Sequence, residues 1–219
     1  MKKLFYLLCG ALALLFAGCS SAEQADGHEY IDLGLPSGTL WATCNVGANS
    51  PEENGDYFAW GETQPKHVYN WETYKLCEGD FRSMTKYCTE LYYGTIDNKT
   101  TLELSDDAAN VNWGGSWRMP TYEEFDELRT ECTWKWTTKK GVAGRKVTGP
   151  SGNSIFLPAT GSYKESSLRE FGKYGNYWCS SLDTDDSNRA YYMSFGKKYV
   201  FWYQTYRQYA YTIRPVMRK

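Results

Sequence analysis

Residues 114–125, Gly-Gly-Ser-Trp-Arg-Met-Pro-Thr-Tyr-Glu-Glu-Phe, constrain the fold more than any other stretch, because they spell out a strand running into a helix. Thr121 is placed to cap the first turn, and Glu124, three residues on, can reach back to the cap nitrogen, the reciprocal pairing of a capping box. Pro120 keeps the residue before it out of the helical region, so the preceding chain stays extended. Phe125 and Leu128 then share one helical face while Glu123, Asp126, Glu127 and Glu131 fill the rest, which predicts a helix lying on a core with a wet outer side. Trp117 anchors the approach to that helix.

Strand formers dominate elsewhere, in short runs punctuated by Gly, Asn, Asp and Ser. A second, shorter capped helix is predicted at 105–109. Residues 133–138 and 142–148 flank a Lys-Lys-Gly turn and read as a hairpin, and 154–157 as a buried strand ended by Pro158. Residues 190–195 and 199–203, joined through Gly196, make another hairpin, and 211–216 a final strand. The region 66–98 has weak periodicity and reads as a long, folded loop.

The first residues carry the features of an export signal: Lys2 and Lys3, an apolar run over 4–17, then small residues before Cys19. That run is shorter than the roughly 20 residues of a spanning helix. Phe16-Ala17-Gly18-Cys19 resembles a lipobox, so the expected organisation is a lipoprotein signal over 1–18, a lipidated Cys19 with a polar tether over 19–29, and one domain over 30–219. The chain holds 24 Lys and Arg against 26 Asp and Glu, and loss of Lys2 and Lys3 takes the net charge from −2 to about −4, which gives no basis for nucleic-acid binding. Cys44, Cys77, Cys88, Cys132 and Cys179 remain after the leader and the lipid site. Their odd number leaves at least one thiol free, and their spacings are not those of a zinc site. Cys44 and Cys132 read as core thiols; Cys77 and Cys88 are near enough to close a loop, paired or not.

Trp117-Arg118-Met119-Pro120-Thr121 with Glu124-Phe125 resembles the signature of the Fib_succ_major (major paralogous domain) family of bacterial lipoproteins. That family is itself similar to the formylglycine-generating-enzyme branch of the C-type-lectin-like fold. The blocks at 32–43, 55–62, 152–159, 175–178 and Ile213-Arg214-Pro215-Val216 follow in the same order, so the resemblance runs from about Tyr30 to the end. It implies an α+β, C-type-lectin-like fold, strand-rich with one or two short helices, on a lipoprotein of the cell envelope, attached to the outer membrane through its lipid.

Candidate chemistry is sparse. The chain has two histidines, His28 in the expected tether and His67 in the long loop, too few for a His-based acid–base or nucleophilic system. Paired acids such as Glu52-Glu53 point to different faces. Enzymes of the resembled fold use two cysteines near the C-terminal core, whereas 213–216 holds none and Cys179 has no evident partner, so no catalysis is expected. Asp183, Asp185, Asp186 and Asn188 space oxygens as a calcium loop could, but without the Gly and distant Glu of an EF-hand. Gln64-Pro65 is followed by Lys66, not by the acid of calcium-dependent lectins. An Asp-rich turn is the simpler reading, with calcium a secondary one, and no other cofactor is expected.

From Ser187 to Lys219 there is no Asp or Glu, while seven Lys and Arg and ten aromatic residues crowd the same stretch. A strand hides every second side chain, yet both parities are aromatic here. Tyr199, Trp202, Tyr203, Tyr206 and Tyr209 are therefore expected to supply outward-facing rings, with Arg207 among them, as a ligand surface. The competing reading has these rings filling space between the hairpins and the 66–98 loop. The expected partners are a glycan, with Arg207 or Lys198 meeting its carboxylate or sulfate, or a cell-surface protein. Two other readings stay open: a distant relative of the formylglycine-generating enzymes, and a receptor whose C-terminal codons are diversified by a retroelement.

Overall fold

The computed structural model describes residues 22–219; the expected signal over 1–18 and the expected lipidation site Cys19 lie outside the described residues. In chain order these form β1 (Glu23–Ala25), β2 (His28–Asp32), β3 (Thr39–Ala42), β4 (Phe58–Ala59), α1 (Ala108–Trp113) and α2 (Tyr122–Glu131). The second half adds β5 (Thr133–Lys139), β6 (Val142–Thr148), β7 (Ser154–Pro158), β8 (Ser162–Lys164) and β9 (Ser167–Arg169). It closes with β10 (Gly175–Leu182), β11 (Arg189–Phe195), β12 (Val200–Tyr206), β13 (Ala210–Tyr211) and β14 (Val216–Arg218). The fold is strand-rich with few helices. The strands pair in four small sheets, β1-β2-β3-β14, β4-β13-β8-β9, β5-β6-β7 and β10-β11-β12.

The strand expected before α2 is only an isolated bridge between Arg118 and Val216, but the helix entry carries the capping box its residues predict. Thr121 Oγ1 accepts from the Glu124 amide at 3.3 Å, and Glu124 Oε2 accepts from the Thr121 amide at 2.9 Å. Arg118 grips the same carboxylate with two donors at 2.7 and 2.5 Å, while its backbone exchanges hydrogen bonds with Val216 at 3.0 and 2.9 Å. Phe125 and Leu128 enter a core with Trp41, Leu157, Tyr177, Phe195 and Val216, and Trp117 is fully buried with its indole donating to the Ala25 carbonyl. A second core centres on Trp60 and Trp178, whose indoles donate crosswise to Cys179 O at 2.8 Å and Phe58 O at 2.9 Å.

Several expectations need correction. The short helix begins at Ala108, capped by Asp107, whose carboxylate accepts from the Ala109 and Asn110 amides; only a 3-10 turn precedes it. The strand expected over 211–216 is two strands in different sheets. Arg214, fully buried, donates to Asn45, Ala42, Thr43 and Phe156 between them, and Pro215 offers no amide to a ladder. Strand pairing starts at Glu23, so part of the expected tether at 19–29 belongs to the fold. Cys44 and Cys132 are only partly buried, whereas Cys77, Cys88 and Cys179 are buried; all five are free thiols, so Cys77 and Cys88 do not pair.

The 66–98 loop is folded as its composition suggests. Tyr69, Tyr74, Met84, Cys77 and Cys88 cluster with Ala210, and bridges tie Cys77 to Met84 and Met84 to Gly94. No helix among the described residues is long and apolar enough to cross a membrane.

Candidate functional site: the aromatic edge strand and its clefts

β12 pairs with β11 on one side and has no strand on the other. The hairpin that presents it is held at its tip by Arg145, a nearly buried side chain whose guanidinium donates to the carbonyls of Gly196, Tyr199 and Trp134. Nothing in the local sequence marks Arg145 for this work, since it lies 51 residues away on β6. Gly175 is required opposite the hairpin, because a Cβ there would meet the Phe195 ring at 2.1 Å.

The pleat sorts the aromatic side chains. Tyr203 stands opposite Tyr192 and Phe201 opposite Ser194 on one face; Trp202 stands opposite Met193 on the other. Tyr199, Phe201, Tyr203 and Tyr206 are 37%, 44%, 42% and 39% exposed. Trp202 is half-buried against α2, with Tyr122 at 5.0 Å and Tyr191 at 5.8 Å between ring centres. Tyr209 is half-buried beyond the strand, under the ammonium of Lys164 at 4.1 Å.

Arg207 departs from expectation altogether: it is 0% exposed. Its guanidinium donates to Tyr74 Oη at 2.9 Å, Ser187 O at 2.9 Å, Tyr87 O at 3.1 Å and Lys86 O at 3.1 Å, and lies 4.8 Å from the centre of the Trp60 ring. Carbonyls of the 66–98 loop converge on it, so Arg207 fastens that loop to β12 and cannot meet a ligand. Lys198 remains exposed at the hairpin turn.

On the Tyr203 face lies a cleft of about 390 Å³ walled by Tyr174, Tyr192, Tyr199, Tyr203 and Tyr211. Its polar floor is Asn176 and Ser194, both nearly buried. Ser194 Oγ donates to Asn176 Oδ1 at 2.9 Å and lies 3.3 Å from Tyr199 Oη, while Asn176 Nδ2 donates to Gly161 O at 3.2 Å. Lys164 and Glu170 reach the cleft from β8 and from beyond β9. Burial pushes the Tyr192 hydroxyl up to about 12, and raises those of Tyr199 and Tyr211 as well. At physiological pH these are neutral hydroxyls that both donate and accept.

The reactive side chains of the fold are placed elsewhere. Cys179 is 1% exposed, its thiol faces Tyr191 O at 3.1 Å, and burial pushes it up to about 12, which keeps it protonated and unreactive. His28, expected in the tether, begins β2 and stacks on Trp113 at 3.7 Å; burial lowers its pKa. His67 is exposed in the long loop. The Asp-rich turn spends its carboxylates on itself: Asp183 accepts from the Asp185 amide, Asp186 from the Asn188 amide and from Arg189. No cluster of His, Cys, Asp and Glu able to hold a metal occurs among the described residues.

A protein-family model described as a domain of unknown function (DUF8237) matches residues 121–216, from the cap of α2 to the first residue of β14. No curated protein and no solved structure matches the chain.

Proposed function

We propose that this chain is an envelope lipoprotein, tethered through Cys19, whose lectin-like domain binds a glycan without catalysing a reaction. The tyrosine-walled cleft beside β12 carries the reading. Five phenol rings offer flat apolar area with polar tips, a combination that suits the C–H faces and hydroxyls of a sugar. Lys164, Glu170, Asn176 and Ser194 add one positive, one negative and two neutral polar groups within the same cavity. The lectin-like reading is supported by the way the motif residues converge: Trp41, Trp60, Trp117, Trp178 and Arg214 all lie buried in the cores of one fold.

A glycan array probed with the purified full chain, with and without calcium, tests the proposal. At least one glycan signal that is independent of calcium and lost in Tyr203→Ala is the expected result. An array with no signal, or one on which every signal is untouched by Tyr203→Ala and Tyr199→Ala, overturns the assignment to this cleft. A second reading is favoured by the unpaired flank of β12, whose free backbone groups could take an extended peptide of a surface protein as an added strand.

A further inference from the structure

A second cavity, of about 470 Å³, lies at the far end of β12, between the 3-10 turn at Trp71 and the Asp-rich turn. Asn188 and Gln208 both line it, and they are 3% and 6% exposed. Asn188 Oδ1 and Gln208 Oε1 are buried and have no hydrogen-bond partner. Their surroundings are otherwise well satisfied. The Asn188 backbone carbonyl accepts from Arg207 N at 2.9 Å, its backbone amide donates to Asp186, and the Arg207 guanidinium makes four hydrogen bonds of its own. An unpaired buried amide is a standing cost to the fold, and an apolar side chain of similar size would avoid it. Two such amides in one cavity point to a ligand that completes them.

We propose that this cavity binds the ring of a neutral, hydroxyl-rich sugar. A half-turn of each terminal amide exchanges oxygen for nitrogen with little change in packing. A hydroxyl, which both donates and accepts, matches the amide in either orientation. The apolar side of the ligand is matched by Trp71, Tyr206 and Tyr209, which line the cavity and meet edge to face at 6.0 and 5.9 Å, with Lys164 over Tyr209 and Arg189 over Tyr206. Charge selects a neutral ligand. Asp186, the one acid in the lining, is already paired with Arg189 at 3.1 Å, so neither an ammonium nor a carboxylate is called for. The volume lies within the range of small-ligand sites. This cavity is separate from the Tyr203 cleft and needs nothing from it.

The test is calorimetric titration of the full chain in detergent with neutral hexose disaccharides and trisaccharides, and with uronic-acid oligomers of the same length. A neutral saccharide is expected to bind. Asn188→Leu with Gln208→Met should weaken that binding about tenfold or more while the melting temperature holds or rises, since two orphaned polar groups are removed. Trp71→Leu should weaken it similarly, and Tyr203→Ala should leave it unchanged. The proposal is overturned if no neutral saccharide binds, if only the uronic acids do, or if the double variant binds normally or melts much lower. Loss of binding in Tyr203→Ala alone would instead place the sugar in the first cleft, which separates the two sites.

Discussion

A charged side chain on an aromatic strand looks, in sequence, like part of a surface, and Arg207 shows why that inference fails. Guanidinium can be buried without an acid when backbone carbonyls and a phenol accept from each nitrogen of its planar fork, as they do here. Arg145 and Arg214 are held in the same way. Arg207→Lys cannot reproduce the fork and should lower the unfolding free energy by about 3–5 kcal/mol, measured in urea. Two acids at the start of the helices respond to pH in opposite senses. Burial pushes the Asp107 carboxyl up to about 6, although it accepts from three backbone amides. Burial also acts to raise Glu124, but Arg118, the Thr121 amide and the Thr39 hydroxyl together outweigh it and the pKa ends below the ordinary value. Folding therefore favours protonated Asp107, and its contribution declines as pH rises from about 4 to 6. Glu124 stabilises above its unfolded pKa and is lost in stronger acid. Asp107→Asn should gain on the wild type across pH 4 to 6 by up to about 3 kcal/mol, read as the difference between their urea midpoints at each pH.

At the scale of elements, α2 was the most legible part of the chain, because cap, proline and apolar face all specify the same helix. Phe125→Ala should cost about 3–5 kcal/mol by emptying a packed site, and Thr121→Ala about 1 kcal/mol by removing the cap. β10 was not legible as a strand. It is buried on both faces, and the carbonyls of Thr212, Pro120 and Thr100 accept from its Trp178, Ser180 and Leu182 amides, so no alternation of apolar and polar residues survives in its sequence. β12 was legible as an aromatic strand but not ring by ring, since its faces are set by what lies across them: α2 on one, a cleft on the other. For that reason Trp202→Ala should destabilise by about 2 kcal/mol through lost contact with Tyr122 and Tyr191, whereas Tyr203→Ala should change thermal stability little. Neither cavity had a local signal. The Tyr203 cleft joins residues from β8, β10, β11, β12 and β13, and the second joins Trp71 to Gln208, contacts that exist only once the 66–98 loop is fastened by Arg207.

Across the whole molecule, stability rests on buried rings and arginines, with five free thiols contributing no crosslink. Melting should be the same with and without a reductant, and iodoacetamide should reach the partly exposed Cys44 and Cys132 well before Cys77, Cys88 and Cys179, as mass spectrometry of the modified chain would register. The longest closures are made at the end of the chain. β14 covers the flank of β3, Arg118 bonds to Val216, and Arg214 is seated among residues more than 160 positions earlier. Deleting residues 215–219 should therefore abolish cooperative unfolding, not merely fray an end, as a lost urea transition would reveal. A chain emerging from a ribosome delivers those residues long after β2 and β3. Until they arrive β3 can pair only with β2 and its other flank stays open, so the sheet that seats Trp41 closes late in synthesis.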